Sequence, residues 1–435
     1  MKQTNNIPQG YKDSPLGIIP KEWEVKKLGT IFEPVNSFSF SREQMTNQPQ
    51  KLRYIHYGDI HTSNEKESVN LINEELPFIL DGLIPNEKLE SETFPFLKNG
   101  DILLADASED YEGVGSLWEL LNIANRKVIA GLHTIVLRDK KNDIAIGYGR
   151  YILKNPKSAK SLKRIAQGTK VYSINYKYIS KLDILIPPLP EQQKIAEILS
   201  VWDEAIEKQT QLIVQLETRK RGLMQQLLTG KKRLKGFDEK WKLVKVKEVF
   251  SEISESNDNN SHTVMTISAR QGLISQKDKF DRIIAGESLG KYTLIQKDDF
   301  AYNKGNSNLY EMGCIYQLEN ISSALVPFVY ICFRPTNKVF SKFYKHWFAN
   351  HGLDRQLKKI ITSGARGDGL LNVNKSDFFT LLLPYPSIEE QTAIANILST
   401  ADNEINLAKQ KLATLKEQKK GLMQQLLTGK KRVRI

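Results

Sequence analysis

Apolar residues recur at alternating steps of four and three in two stretches of the chain. The first series is Ile195, Leu199, Trp202, Ile206, Gln209, Ile213, Leu216, Lys220, Leu223 and Leu227. A second, 199 residues later, is Ile394, Leu398, Ala401, Ile405, Ala408, Leu412, Leu415, Lys419, Leu422 and Leu426. This heptad seam runs for about five heptads and predicts two long helices that pack on each other. Pro187, Pro188 and Pro190 open the first, where the first turn tolerates proline. Ser387 with Glu390 predicts a capping box for the second. Gly230 and Gly429 offer left-handed stops, each followed by Lys-Lys-Arg at the negative end of the helix dipole. About 38 residues at 1.5 Å each would make a rod on the order of 57 Å long. Lys220 and Lys419 interrupt both seams at one place. They either snorkel to solvent or, with Leu223, Leu227, Leu422 and Leu426, mark a docking surface for a partner.

The repeat extends beyond the seam. Residues 222–233 and 421–432 both read GLMQQLLTGKKR, and residues 191–200 match 390–399 at seven of ten positions. A fainter echo links WEVKKLGTIF, from Trp23, with WKLVKVKEVF, from Trp241, and residues 182–187 with 379–384. Between these bookends the copies differ. Short apolar runs at 101–104, 127–137 and 328–333 read as strands, and 341–361 as a helical stretch. The expectation is an α+β chain: a mixed α/β domain at 1–186, a helix at 187–235, a second mixed domain at 236–384 and a second helix at 385–435. One scaffold then presents two different recognition surfaces.

A chain of 435 residues exceeds a single core. It has no apolar run of membrane-spanning length and no signal-peptide stretch at the start, which leads us to expect a cytoplasmic protein without a membrane partner. Two cysteines, Cys314 and Cys332, and six histidines argue against a disulfide framework or a zinc cluster; buried free thiols are expected. The net charge of +13 attracts polyanions. It is unevenly spread, with residues 65–119 acidic and 126–177 basic, which favours a nucleic-acid partner.

Catalytic signatures are missing. There is no Walker A loop, no Gly-x-Ser-x-Gly elbow and no His-Glu-x-x-His helix. Gly113-Val114-Gly115 is too short for a dinucleotide loop, and no Asn- or Asp-Pro-Pro-Tyr segment occurs. Asp101, Asp106, Glu109 and Asp110 suggest either a metal site or, the stronger reading, a solvated acidic loop. Recognition chemistry is plentiful. Amides can grip adenine, and cations guanine or phosphate. The candidates are Asn303, Lys304, Asn306, Ser307 and Asn308 around Gly305; Arg270 and Gln271; Lys170, Tyr172 and Asn175 in the first domain; Arg366 in the second; and the polar aromatic group Tyr54, His56 and Tyr57.

The run Ile-Pro-Pro-Leu-Pro-Glu-Gln-Gln-Lys-Ile-Ala-Glu-Ile-Leu-Ser ending at Ser200, the ending Gly-Leu-Met-Gln-Gln-Leu-Leu-Thr-Gly, and the opening at residues 17–29 together resemble the specificity subunit of type I restriction-modification systems. The resemblance covers essentially the whole chain. It implies two target-recognition domains, each reading half of a bipartite, non-palindromic site on double-stranded DNA. It also implies two conserved helices pairing as an antiparallel coiled coil with internal pseudo-twofold symmetry, which set the spacing and dock two methyltransferase subunits. This chain would bind no cofactor. S-adenosylmethionine would sit on the methyltransferase subunits, and ATP and Mg on motor-nuclease subunits. The first domain's lead, residues 17–20, has no counterpart before Trp241 and is expected to touch the C-terminal helix. Rival readings are the recognition subunit of a fused methylase-nuclease system and a coiled-coil scaffold that binds no DNA.

Overall fold

The computed structural model describes residues 7–62, 67–72, 75–109, 113, 115–168, 171–256, 262–282, 284, 286–305, 310–361 and 371–435. The chain divides into two compact units, one of residues 1–211 with 410–435 and one of residues 212–409.

In the first unit a five-stranded sheet runs in the order Phe32–Val35, Thr134–Asp139, Ile102–Ala105, Leu117–Asn122, Ser68–Asn70. Only its last pair is parallel. The central Ile102–Ala105 is buried at every position, as its unbroken apolar run requires of a strand covered on both faces. A second sheet orders Val128–Ala130, Leu52–Ile55, Phe78–Ile79 and Met45–Thr46. The two bookends meet in an antiparallel ladder, Glu24–Lys27 against Asp183–Ile186. Behind it, Trp23, Phe32, Tyr148 and Tyr151 share a core with Leu199 and Leu426 of the two long helices.

The second unit repeats the plan. One sheet orders Phe250–Glu252, Ile331–Pro335, Phe300–Asn303 and Cys314–Gln317, all antiparallel. The other orders Gly272–Ser275, Thr263–Ser268, Ser323–Val326 and Thr293–Gln296. Its bookends also pair, Lys242–Lys245 with Leu382–Tyr385. The stretch at 341–361, expected to be one helix, is two, Ser341–Ala349 and Asp354–Ile360. His351 at φ +58° and Gly352, whose absent Cβ would overlap the Trp347 indole, make the break. Cys314 and Cys332 are buried free thiols, and burial pushes them up to about 11 and about 12.

The long helices span Leu189–Leu227 and Ile388–Leu426, 39 residues each, and none of the twenty seam positions is exposed. Within each unit the paired stretches run antiparallel. In the first, Asp203 meets Lys419 and Glu191 meets Arg432; in the second, Asp402 meets Lys220 and Glu390 meets Arg233. Both C-termini close on glycine at positive φ, +68° at Gly230 and +70° at Gly429. Lys232 N donates to Gln226 O at 3.1 Å and Lys431 N to Gln425 O at 3.2 Å, the bonds of a Schellman stop. The expected capping box is only half formed. Ser387 Oγ accepts from Glu390 N at 3.3 Å, but the Glu390 carboxylate is taken by Trp241 and Arg233. The terminal arginines thus engage a carboxylate at the other helix's start rather than only the dipole of their own.

The metal reading of the acidic loop does not hold for Asp101. It is 1% exposed and gripped on both oxygens by Arg138, at 2.9 and 2.6 Å, so its charge is already neutralised. Asp299 and Arg334 repeat this pair in the second unit, at 2.8 Å twice. Among the described residues no cluster could hold a metal ion.

Candidate nucleic-acid interface

Each unit joins its domain to the helices through one repeated set of contacts. Trp23 Nε1 donates to Glu191 at 2.8 Å while Arg432 grips the same carboxylate; Trp241 Nε1 donates to Glu390 at 2.8 Å while Arg233 grips that one. Glu191 is buried at 0% exposure and Glu390 at 1%, so each needs its cation and its indole N–H. Second comes the lysine pair. Lys419 binds Asp203 and lies 3.4 Å from Glu67. Burial disfavours ionised Glu67, but the ammonium groups of Lys154 and Lys419 outweigh it and hold the carboxyl below its usual range. The lead segment adds a contact to the first joint: Tyr11–Lys12 pairs with Ile19–Pro20, and the Tyr11 hydroxyl donates to Gly429 O at 3.0 Å. Residues 17–20 therefore approach the C-terminal helix as expected.

The six residues expected to face a partner are buried or half-buried within their own units. Leu227 and Leu426 are 3% exposed in their unit cores, and Lys419 is 8% exposed. Lys220 is held by Asp402, and Leu223 and Leu422 pack on the cores half-buried.

Away from the joint, the first domain carries an aromatic rim on the helix Tyr57–Thr62. The Tyr57 ring lies 4.4 Å from His56, 5.5 Å from His133 and 6.1 Å from His61. His56 Nδ1 accepts from Gly58 N at 3.0 Å, and His61 Nε2, facing the Ala107 carbonyl at 2.7 Å, must donate. His133 holds φ +65° with Nδ1 3.1 Å from Asp106. The strand Ala107–Ser108 pairs with Tyr172–Ser173, but the Tyr172 ring packs half-buried on the core shared with the long helices rather than on the rim.

The second domain builds its rim from different residues. Tyr316 Oη donates to Ala269 O at 2.8 Å and lies 3.3 Å from Tyr310 Oη, tying the turn that bears exposed Arg270 and Gln271 to the strand end at Asn303. His351 stacks on Tyr310 at 4.9 Å and its Nδ1 donates to the Asp354 carboxylate at 2.8 Å. A Cβ on Gly272 would lie 3.1 Å from the Tyr316 ring, so Arg270 and Gln271 flank the tyrosine pair, and Asn303 ends the strand paired with that of Tyr316.

Some sequence candidates are spent on structure. Tyr54 is 1% exposed, its hydroxyl bonded to Phe38 O at 3.0 Å, because it shares the inward strand face with Leu52; it is a core residue and not a DNA contact. The Asn175 side chain caps the helix Tyr176–Ile179, accepting from Lys177 N at 2.8 Å, and the Asn303 amide oxygen accepts from Gly305 N at 2.9 Å. Lys170, Asn306, Ser307, Asn308 and Arg366 lie outside the described residues. Sequence reasoning passed over His61 and His133. The available signal was the spacing of His61 four residues after Tyr57; none marked His133.

A duplicated helical scaffold that carries a basic chain and two unlike polar aromatic rims defines a sequence-reading subunit, one that directs chemistry rather than performing it. The chain belongs to the type I restriction-modification DNA specificity family, whose domain model matches residues 20–218 and 238–417. It is 25% identical over 434 residues to the protein provisionally described as the type I restriction enzyme MjaX specificity subunit of Methanocaldococcus jannaschii, across 98% of this chain and 97% of that one. It is 24% identical to the MjaVIII specificity subunit of the same organism, across 96% and 94%. The fold is similar to the crystal structure of the type I S subunit from M. genitalium, with a TM-score of 0.55, 15% identity and 98% of each chain covered. As a specificity subunit it is a non-catalytic component. Among the described residues no helix is long and apolar enough to cross a membrane.

Proposed function

We propose that the first domain reads one half, and the second the other half, of a bipartite, non-palindromic site on double-stranded DNA. The two long helices set the distance between the halves and dock two methyltransferase subunits. S-adenosylmethionine belongs to those subunits, and ATP and Mg to motor-nuclease subunits of the full complex. The observation that carries this reading is the contrast inside the chain. The Trp-Glu-Arg and Lys-Asp joints recur atom for atom, while the rims share only a tyrosine-histidine-aspartate group and otherwise differ, histidines in one and Arg270, Gln271 and a tyrosine pair in the other. Two identical partners need two identical surfaces, and a non-palindromic site needs two different readers. With the seam residues buried, the repeated surface left for a partner includes exposed Gln225 and Gln226 and their twins Gln424 and Gln425.

The test is to exchange residues 24–186 for the corresponding domain of another specificity subunit and map adenine methylation across a genome. One half of the methylated motif should change and the other persist. A change in both halves, or in neither, refutes the assignment.

A further inference from the structure

We propose that two short basic helices, Pro156–Ile165 in the first domain and Asp354–Ile360 in the second, grip DNA phosphates beside the two reading rims. This rests on the half-site reading above and adds a sequence-independent clamp to each reader.

The first helix begins at Pro156 under an Asn155 cap, turns Ser158 and Leu162 inward, and contains no acidic residue. Its exposed cations include Lys160 and Arg164. The second helix turns Leu357 inward and exposes Arg355, Lys358 and Lys359; its one acid, Asp354, is taken by His351. Both thus end in a basic last turn. Some exposed cations elsewhere on the molecule do have acidic partners, as in Lys27 with Asp183, Lys194 with Glu197 and Lys375 with Glu252. Lys160, Arg164, Arg355, Lys358 and Lys359 form no ion pair among the described residues. Such charge is available to a polyanion at no desolvation cost to an existing pair.

Placement selects DNA as that polyanion. After Ile165 the chain bonds Gln167 to Ser173, and Ser173 pairs with Ala107, whose carbonyl receives the His61 imidazole. In the second domain, Asp354 holds His351, which stacks on Tyr310 of the rim. The second basic helix therefore meets its reading rim directly, and the first is joined to its rim through the short strand pair Ala107–Ser108 and Tyr172–Ser173. Side chains that only donate, on flexible stems without a neighbouring acceptor, suit phosphate oxygens rather than the mixed donor and acceptor edges of bases.

The test uses the full chain assembled with its methyltransferase subunits, carrying K160A, R164A, R355A, K358A and K359A together. Duplex affinity is measured across a salt series, on a target duplex and on an unrelated one. The slope of log affinity against log salt should shrink by about 0.9 per lost contact, up to about 4.5 in all, with similar loss on both duplexes. The methylated motif should not change. A companion variant with K160R, R164K, R355K, K358R and K359R should keep the wild-type slope. An unchanged slope, an altered motif, or failure of the folded variant to assemble with methyltransferase would overturn the proposal, the last by pointing to a protein contact. A wild-type complex that prefers no duplex would instead defeat the half-site reading itself.

Discussion

The two domain-helix joints are built on the same lysine-aspartate pair, yet the residues that complete it differ in how they titrate. Around Asp203 stand Lys419, the Arg150 guanidinium at 3.5 Å and the Tyr151 hydroxyl at 2.5 Å, a set of fixed charges and a phenol. Around Asp402 stand Lys220 and the His346 imidazole, with Nδ1 at 3.7 Å from the carboxylate and Nε2 at 3.3 Å from Ser399. His346 is 1% exposed. Burial pushes its pKa down to about 4; Asp402 opposes this, and Lys345, Lys220 and Lys342 reinforce it. The folded unit therefore keeps the imidazole neutral, whereas the unfolded chain takes up a proton below about pH 6.5. Stability is lost as pH falls from about 6.5 toward 4, on the order of 2 kcal/mol by pH 5. Thermal unfolding of the wild type and His346→Gln at pH 7.5 and 5 checks this. The gap between the two melting temperatures should move in favour of the variant at the lower pH, and an equal acid response in both would rule the imidazole out.

At the scale of the element, the repeated dodecapeptide ends two helices with one sequence in two settings. Gly230 and Gly429 share a left-handed φ, but a Cβ on Gly230 would sit 3.4 Å from the Trp241 ring, an ordinary contact, while on Gly429 it would overlap the Pro20 ring. Gly230→Ala should cost about 1 kcal/mol in backbone strain, and Gly429→Ala about 2–4 kcal/mol once the overlap is added. Denaturant unfolding of the two variants should rank them in that order, and equal costs would show that the lead segment yields freely. The helices and their glycine stops were legible because a heptad period and a terminal glycine are local signals, and the bookend strands because they occur twice. Tyr54 was misread because a tyrosine beside histidines looks like a polar rim until the strand face is known; its alternation with Leu52 pointed inward. Nor could local pattern reveal that Asp101 is answered by Arg138, 37 positions away. Only the similar spacing of Asp299 and Arg334 in the other copy hinted at it. His133 went unread because it comes to Tyr57 from a separate segment, and His61 because its place on the short helix shows only once that helix is formed.

For the molecule as a whole, both long helices pass from one compact unit into the other, changing unit after Gln211 in the first and after Lys409 in the second. The joints named above all fall within a unit, so residues added at those two boundaries leave every joint intact. If helix length is the ruler that sets the gap between half-sites, a paired insertion should lengthen that gap. One heptad in each helix preserves the seam phase and adds about 10.5 Å, equivalent to about three base pairs at 3.4 Å each. Insertion of the same heptad in one helix alone would leave its partner too short to form both joints and should lower the melting temperature sharply. Methylome mapping of the paired insertion should return the same two half-sites with about three more unspecified base pairs between them. An unchanged gap would show that the domains, and not the helices, determine the spacing.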